Sequence, residues 1–208
     1  MHLPARWRSV VCSATAALAA VALTAAPAAA GTAPTAAGCP VVPTVQPFAA
    51  WQDFADYFLA PNGDFEAGPR SWLLQGGASA VEGNNRFVVG KRTDHRSLRM
   101  PAGASATSAA ICIGLEHRTM RFFGTSTRAG TMAVEALYTK RGATQKTAVP
   151  LGSVRGTGTW APSPVLAMRV NELAGAYGNA MPVSLRFTAR TAVAWQIDDV
   201  YVDPYRTK

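Results

Sequence analysis

From residue 62 onward the chain alternates apolar and polar positions in short runs, the period-two pattern of strands with one buried face. The clearest run is Ser184-Leu185-Arg186-Phe187-Thr188-Ala189, where character swaps at each step. Comparable runs predict strands around 72–74, 78–82, 86–89, 97–100, 109–113 and 120–123 in the first half of the domain. Further strands are predicted around 131–138, 147–151, 164–170, 183–188 and 192–202, with Gly, Pro, Asn and Thr between them. Upstream, Phe48, Trp51, Phe54 and Phe58 recur at spacings of three, three and four. That period predicts a short helix over 47–59, stopped by Pro61, with its aromatic stripe packed against the domain. No second helix of any length is expected. The fold class that follows is all-β: an antiparallel β-sandwich of jelly-roll topology with a short N-terminal helix.

The first thirty residues belong to a different pattern. Arg6 and Arg8 precede an apolar run over 10–23, and Ala28-Ala29-Ala30 offers small residues for cleavage. This reads as a secretory signal peptide over 1–30, its apolar run too short for a good membrane span. A flexible arm over 31–46 and a single domain over 47–208 are expected to follow. The mature protein is expected to be secreted and extracellular, without a membrane anchor.

Charge then narrows the partners. Removing two of twenty Lys+Arg and none of twelve Asp+Glu leaves a net charge of about +6 (18 − 12). Outside a cell, such a surface would meet acidic glycans or anionic cell-wall polymers. Nucleic acid is not expected: basic residues interleaved with aromatics reduce to 118–128 around Phe122-Phe123, a pair read as facing partly inward.

Cys12 leaves with the signal, so Cys39 and Cys112 remain. In an exported chain two cysteines most simply form one disulfide. Ala36-Ala37-Gly38-Cys39 also offers a lipid-attachment reading, disfavoured by Pro27 and Pro34 and by the unpaired Cys112 it would leave. A zinc site on the two cysteines would need two further ligands at suitable spacing.

Two acidic segments bracket the domain: Asn62-Gly63-Asp64-Phe65-Glu66 with Trp72 behind it, and Trp195-Gln196-Ile197-Asp198-Asp199-Val200 near the end. With Ser97-Leu98 between them, their order resembles the jelly-roll carbohydrate-binding modules of the galactose-binding-like fold. The resemblance spans roughly residues 60 to 203 as short motifs. It implies a structural calcium held by Glu66 and Asp198, with Asp199 as a neighbour. The residues by themselves leave open pairing with arginine or capping of loop amides. The stretch 48–66, with Gly76-Gly77-Ala78 and Gly83-Asn84-Asn85, also resembles uncharacterised secreted proteins of actinobacteria, which implies location and architecture but no activity.

Binding modules of this kind present aromatics to sugars. The candidates are Trp160 and Tyr177, each framed by glycines, because a sugar ring needs a flat apolar partner. Packing of those loops is the competing reading. No G-x-S-x-G elbow, H-E-x-x-H helix or phosphate-cradling loop is present. Asp94-His95 and Glu116-His117 are adjacent acid–histidine pairs, and on a strand neighbours face opposite ways. The expectation is a secreted non-enzymatic module that binds a glycan. A structural surface protein without a small ligand is the alternative, and a small hydrolase using Glu66, Asp198 or His95 comes last.

Overall fold

The computed structural model describes residues 39–190 and 192–204. The expected signal peptide therefore lies outside the described residues. Thirteen strands follow in order: β1 (Phe58–Leu59), β2 (Trp72–Gln75), β3 (Ser79–Glu82), β4 (Arg96–Met100), β5 (Ser105–Ser108), β6 (Ile111–Gly114) and β7 (Thr119–Ser126). They continue as β8 (Gly130–Thr139), β9 (Lys146–Gly156), β10 (Ala161–Pro162), β11 (Leu166–Ala167), β12 (Ala180–Ala189) and β13 (Trp195–Asp203). All the pairings are antiparallel. Sheet one runs β10-β7-β13-β4-β3, with β1 against β13 and β11 against β7. Sheet two runs β2-β5-β12-β8-β9, with β6 against β12. The result is a jelly-roll β-sandwich.

Alternation decides which residues meet between the sheets. On β12, Val183, Leu185 and Phe187 are fully buried, and on β8 Met132, Val134 and Ala136 are too. They face Leu98, Met100, Phe122 and Ile197 of sheet one across a single apolar core. Burying each such side chain stabilises the fold by roughly 1.5–3 kcal/mol relative to exposure.

The predicted helix over 47–59 is replaced by one 3-10 turn at Ala49–Trp51, ended by Gln52 in the left-handed region (φ 62°). The chain then doubles back so that Val45 bridges Tyr57, and Phe58 enters β1. The aromatic spacing was real, but a second cluster on the outer face of sheet one satisfies it. Phe48 is fully buried there with Tyr57, Phe123 and Tyr201, and Trp51 packs at its side. Phe54, by contrast, is 63% exposed. Arg121 fastens the segment: its guanidinium pairs with Asp53 at 2.8 Å, donates to the Ser163 carbonyl, and lies 4.4 Å over the Phe48 ring. Phe122 and Phe123 are both fully buried, one in each core, so no basic aromatic surface forms there.

Three other expectations change. Residues 86–89 form a loop, because Phe87 and Val89 pack down onto the second cluster while Val88 takes φ 49°. β5 was missed because Ser-Ala-Thr-Ser carries no hydrophobic alternation. The run over 164–170 yields only β11, followed by a 3-10 segment at Arg169–Tyr177 that the sequence pattern did not indicate.

Candidate functional site

The two acidic segments do meet. Opposite the loop, β13 breaks its register between Asp198 and Tyr201, and Asp199 takes φ 51°. The bulge offers the Val200 backbone to the opening loop while its side chain stays in the core: Ala60 N–H donates to Val200 O at 2.8 Å, and Val200 N–H donates to Gly63 O at 3.1 Å. A side chain at 63 would force the backbone to shift, since a Cβ would stand 2.8 Å from Val200 O and 3.1 Å from Ala60 O. Trp72 closes the loop from inside, donating its indole N–H to Asn62 O at 2.9 Å.

Glu66 and Asp198 are each engaged in other bonds. Glu66 Oε1 accepts the backbone N–H groups of His95 (2.8 Å) and Arg96 (2.6 Å), and Oε2 lies 3.0 Å from His95 Nδ1. His95 thus pairs with Glu66 and not with its neighbour Asp94, whose Oδ2 caps Lys91 N–H. Asp198 is buried and accepts from Asn85 N–H (3.2 Å), Asn85 Nδ2 (3.0 Å) and Asp199 N–H (2.9 Å). Asn85 also donates to Asp199 Oδ2 at 2.7 Å. Of the three expected ligands, therefore, Asp198 and Asp199 share an amide clamp, and Glu66 anchors the strand entering β4. The sequence reading missed Asn85 as the clamp; its only trace was Gly83-Asn84-Asn85 between two strands.

Carboxylate charge accumulates here. Burial, then the neighbouring Asp199, pushes Asp198 up to about 8, against the pull of Asn85. Burial also lifts Asp199 to about 6, with Asp94, Asp64 and Glu66 adding to the rise over Asn85's opposition. Among the described residues no lysine or arginine forms an ion pair with Asp64, Asp94, Asp198 or Asp199.

This donor set fits calcium in its chemistry. Calcium takes roughly six to eight hard oxygens and tolerates mixed carboxylate and carbonyl sets. Gly90 lets two of the acids close in: a Cβ there would stand 2.5 Å from Asp94 Oδ2 and 3.6 Å from Asp199 Oδ1. No three of these carboxylates bring oxygens mutually within 4.8 Å; among the described residues that closeness occurs only for Cys39, Glu116 and His117. An ion here would thus draw on at most two of these carboxylates and fill its shell from carbonyls and water.

The structure places Trp160 and Tyr177 apart. Trp160, half-buried, precedes β10 and packs on the cluster around Phe48 outside sheet one. Tyr177, also half-buried, ends the 3-10 segment, packs edge-on to Tyr138 and carries the Arg141 guanidinium 5.5 Å from its ring centre.

A second polar array lies on sheet two. Sheet one's outer face is covered by the segment around Phe48. On sheet two, register aligns Leu73, Thr107, Arg186, Glu135 and Pro150 in one row across the outer face. Arg186 pairs with Glu135 through Nε and Nη2, both at 2.9 Å. Leu73, 63% exposed, is the apolar end of the row. The next rank holds Ser184, which accepts from Lys146 Nζ at 3.1 Å.

No protein-family model matches the chain, and no curated protein does. Solved structures match. One is the N-terminal CBM22-1–GH10 portion of endo-1,4-beta-D-xylanase 10B from Clostridium thermocellum, complexed with xylohexaose: TM-score 0.50 at 15% identity, over 67% of this chain and 27% of that one. The chain thus spans about a quarter of that xylanase structure. Another is the family 11 carbohydrate-binding module of Clostridium thermocellum (TM-score 0.48, 10% identity, 73% and 98% covered). A third is the CBM22-1–CBM22-2 tandem of Paenibacillus barcinonensis Xyn10C (TM-score 0.46, 13% identity, 70% and 49% covered). The fold is therefore a jelly-roll sandwich of the kind carbohydrate-binding modules use.

Proposed function

We propose that this chain is a secreted, non-enzymatic module that binds a glycan on the outer face of sheet two. The observation that carries the reading is the aligned row Leu73, Thr107, Arg186, Glu135 and Pro150 on the outer face of sheet two, exposed at its ends Leu73 and Pro150 and closely packed at Thr107. A guanidinium and a carboxylate held side by side offer donors and acceptors to adjacent sugar hydroxyls. Leu73 and Pro150 supply apolar surface for ring C–H groups at the ends. The similar xylanase portion was crystallised with xylohexaose, which supports an extended polysaccharide as the ligand class. Lys146, Arg155 and Arg186 outnumber Glu135 on this face, so an acidic glycan is favoured over a neutral one.

At the clasp, calcium held by Asp94 and Asp199 completes the reading as a structural ion that offsets the gathered carboxylates. Asp198, 1% exposed, has no access to a sugar, which weighs against a glycosidase pair with Glu66. A glycan array spanning neutral and uronic-acid polysaccharides, read at low and at raised salt, tests the binding. Salt-sensitive capture of uronic-acid glycans is expected. Capture of none would leave the alternative, a structural surface protein without a small ligand.

A further inference from the structure

The loop that meets β13 carries a chemically labile step. Asn62-Gly63 is the single Asn-Gly pair of the sequence. Glycine has no side chain to restrict its approach, so in a mobile backbone its nitrogen reaches the preceding asparagine side chain readily. The Gly63 nitrogen then attacks Cγ of Asn62 and closes a succinimide ring. Nδ2 leaves as ammonia, taking the proton that Gly63 gives up. Water opens the ring at either carbonyl and leaves aspartate or isoaspartate. The reaction consumes one water and needs no oxidant or reductant.

The fold holds the reacting groups apart. Asn62 Nδ2 donates to the carbonyls of Gly68 (3.0 Å) and Arg70 (2.7 Å), and Oδ1 accepts the Ala67 N–H at 3.0 Å. The amide is thus turned to the loop that follows it, with both of its donors engaged. The nucleophile is held as well: Gly63 is buried, and its N–H donates to Ala60 O at 2.8 Å. Trp72 fixes the Asn62 carbonyl from inside at 2.9 Å. Ring closure would have to break the side-chain bonds of Asn62 and the Gly63 bond together.

We propose that Asn62 is a deamidation site that reacts only when this loop opens, and that its reaction makes unfolding of the chain irreversible. Its rate in the native state follows the free energy of opening the loop. Either product harms the closed form. Aspartate puts an acceptor-only oxygen where Nδ2 faced the carbonyls of Gly68 and Arg70. Isoaspartate runs the main chain through the side chain, a methylene longer, and turns the carbonyl that Trp72 holds into a free carboxylate. Both add negative charge to a segment that already carries Asp64 and Glu66. The loop is pinned to β13 through Ala60–Val200 and Val200–Gly63, so the damage falls on the joint that closes the sandwich. A chain modified while unfolded is then lost to refolding.

The experiment incubates the full chain, bridge intact, at mildly alkaline pH with and without guanidinium chloride. Peptide mass spectrometry reads each asparagine, and enzymatic methylation counts isoaspartate. In denaturant Asn62 is expected to react ahead of Asn84, Asn85, Asn171 and Asn179. In the folded chain its rate should be at least about tenfold lower. On dilution, the fraction that regains its near-ultraviolet circular dichroism should fall in step with the fraction modified at Asn62. Chains held in denaturant at mildly acidic pH, where the amide survives, should refold in full. Equal rates at Asn62 with and without denaturant would overturn the proposal. So would Asn62-modified chains that refold as the unmodified ones do, or acid-held chains that fail to refold with Asn62 intact.

Discussion

Asn85 holds Asp199: its side-chain amide donates to the carboxylate at 2.7 Å across 114 residues of sequence. The same amide reaches Asp198 at 3.0 Å, so one neutral group bridges two adjacent buried acids. Asn85 is itself 3% exposed. The closure of the sandwich therefore rests on an uncharged donor where a lysine or arginine would have been the simple electrostatic solution.

Removing that donor leaves both carboxyl groups without their shared partner in a site water reaches poorly. Asn85→Ala is expected to cost about 2–3 kcal/mol in urea unfolding, the range for losing hydrogen bonds to charged groups. Asn85→Asp, nearly the same shape, adds another acid to the cluster and should cost at least as much.

Stability with pH follows from the same acids. In chelator, Asp198 and Asp199 hold their protons when folded more firmly than when unfolded, at about 8 and about 6 against an ordinary 3.8. The folded state then binds more protons than the unfolded state, so stability is greatest at low pH and falls as pH rises from about 4 to about 8. Melting temperatures in chelator should decline across that window. Added calcium should raise them most at the alkaline end, since an ion bound only by the folded state stabilises it. A calcium effect that is absent at pH 8 would contradict the ion site.

Much of this architecture is legible in the sequence, and the failures have physical causes. Ser184 to Ala189 alternates because β12 has one face in the core, and it was placed within a few residues of its observed ends. The meeting of the Asn62 and Asp198 segments was equally readable, because a closing fold must pair its ends. The segment over 47–59 misled because aromatic spacing specifies burial and not the backbone that delivers it; Phe48 and Trp51 reach their cluster from a single 3-10 turn. The row on sheet two was out of reach altogether. Arg186 and Glu135 are ordinary outward residues of strands, and nothing local reveals that register would set them side by side in one row with Leu73.

Gly63 offers a test of the clasp that does not depend on any ion. Its backbone lies outside the left-handed region, so alanine meets no dihedral penalty there, only the carbonyls of Val200 and Ala60. Gly63→Ala should destabilise by about 1–3 kcal/mol, as overpacking does. Gly68→Ala in the same loop meets nothing within 4 Å but sits at φ 68°, so its smaller loss would come from backbone strain alone.

The bridge between Cys39 and Cys112 closes a loop with a sequence separation of 73. In the chain-entropy model that loop contributes about 4 kcal/mol by restricting the unfolded state. Cys39→Ser/Cys112→Ser should therefore melt well below wild type, with a native near-ultraviolet spectrum before melting.

The central claim is that the outer face of sheet two binds a glycan, and titration calorimetry with acidic xylan fragments tests it most directly. Wild type should give a saturable heat that weakens as salt is raised. Arg186→Ala should lose at least about 1.4 kcal/mol of it, a tenfold drop in affinity, with its circular dichroism unchanged. Binding that is undiminished in Arg186→Ala, or no binding by wild type to acidic or neutral fragments, would contradict the account.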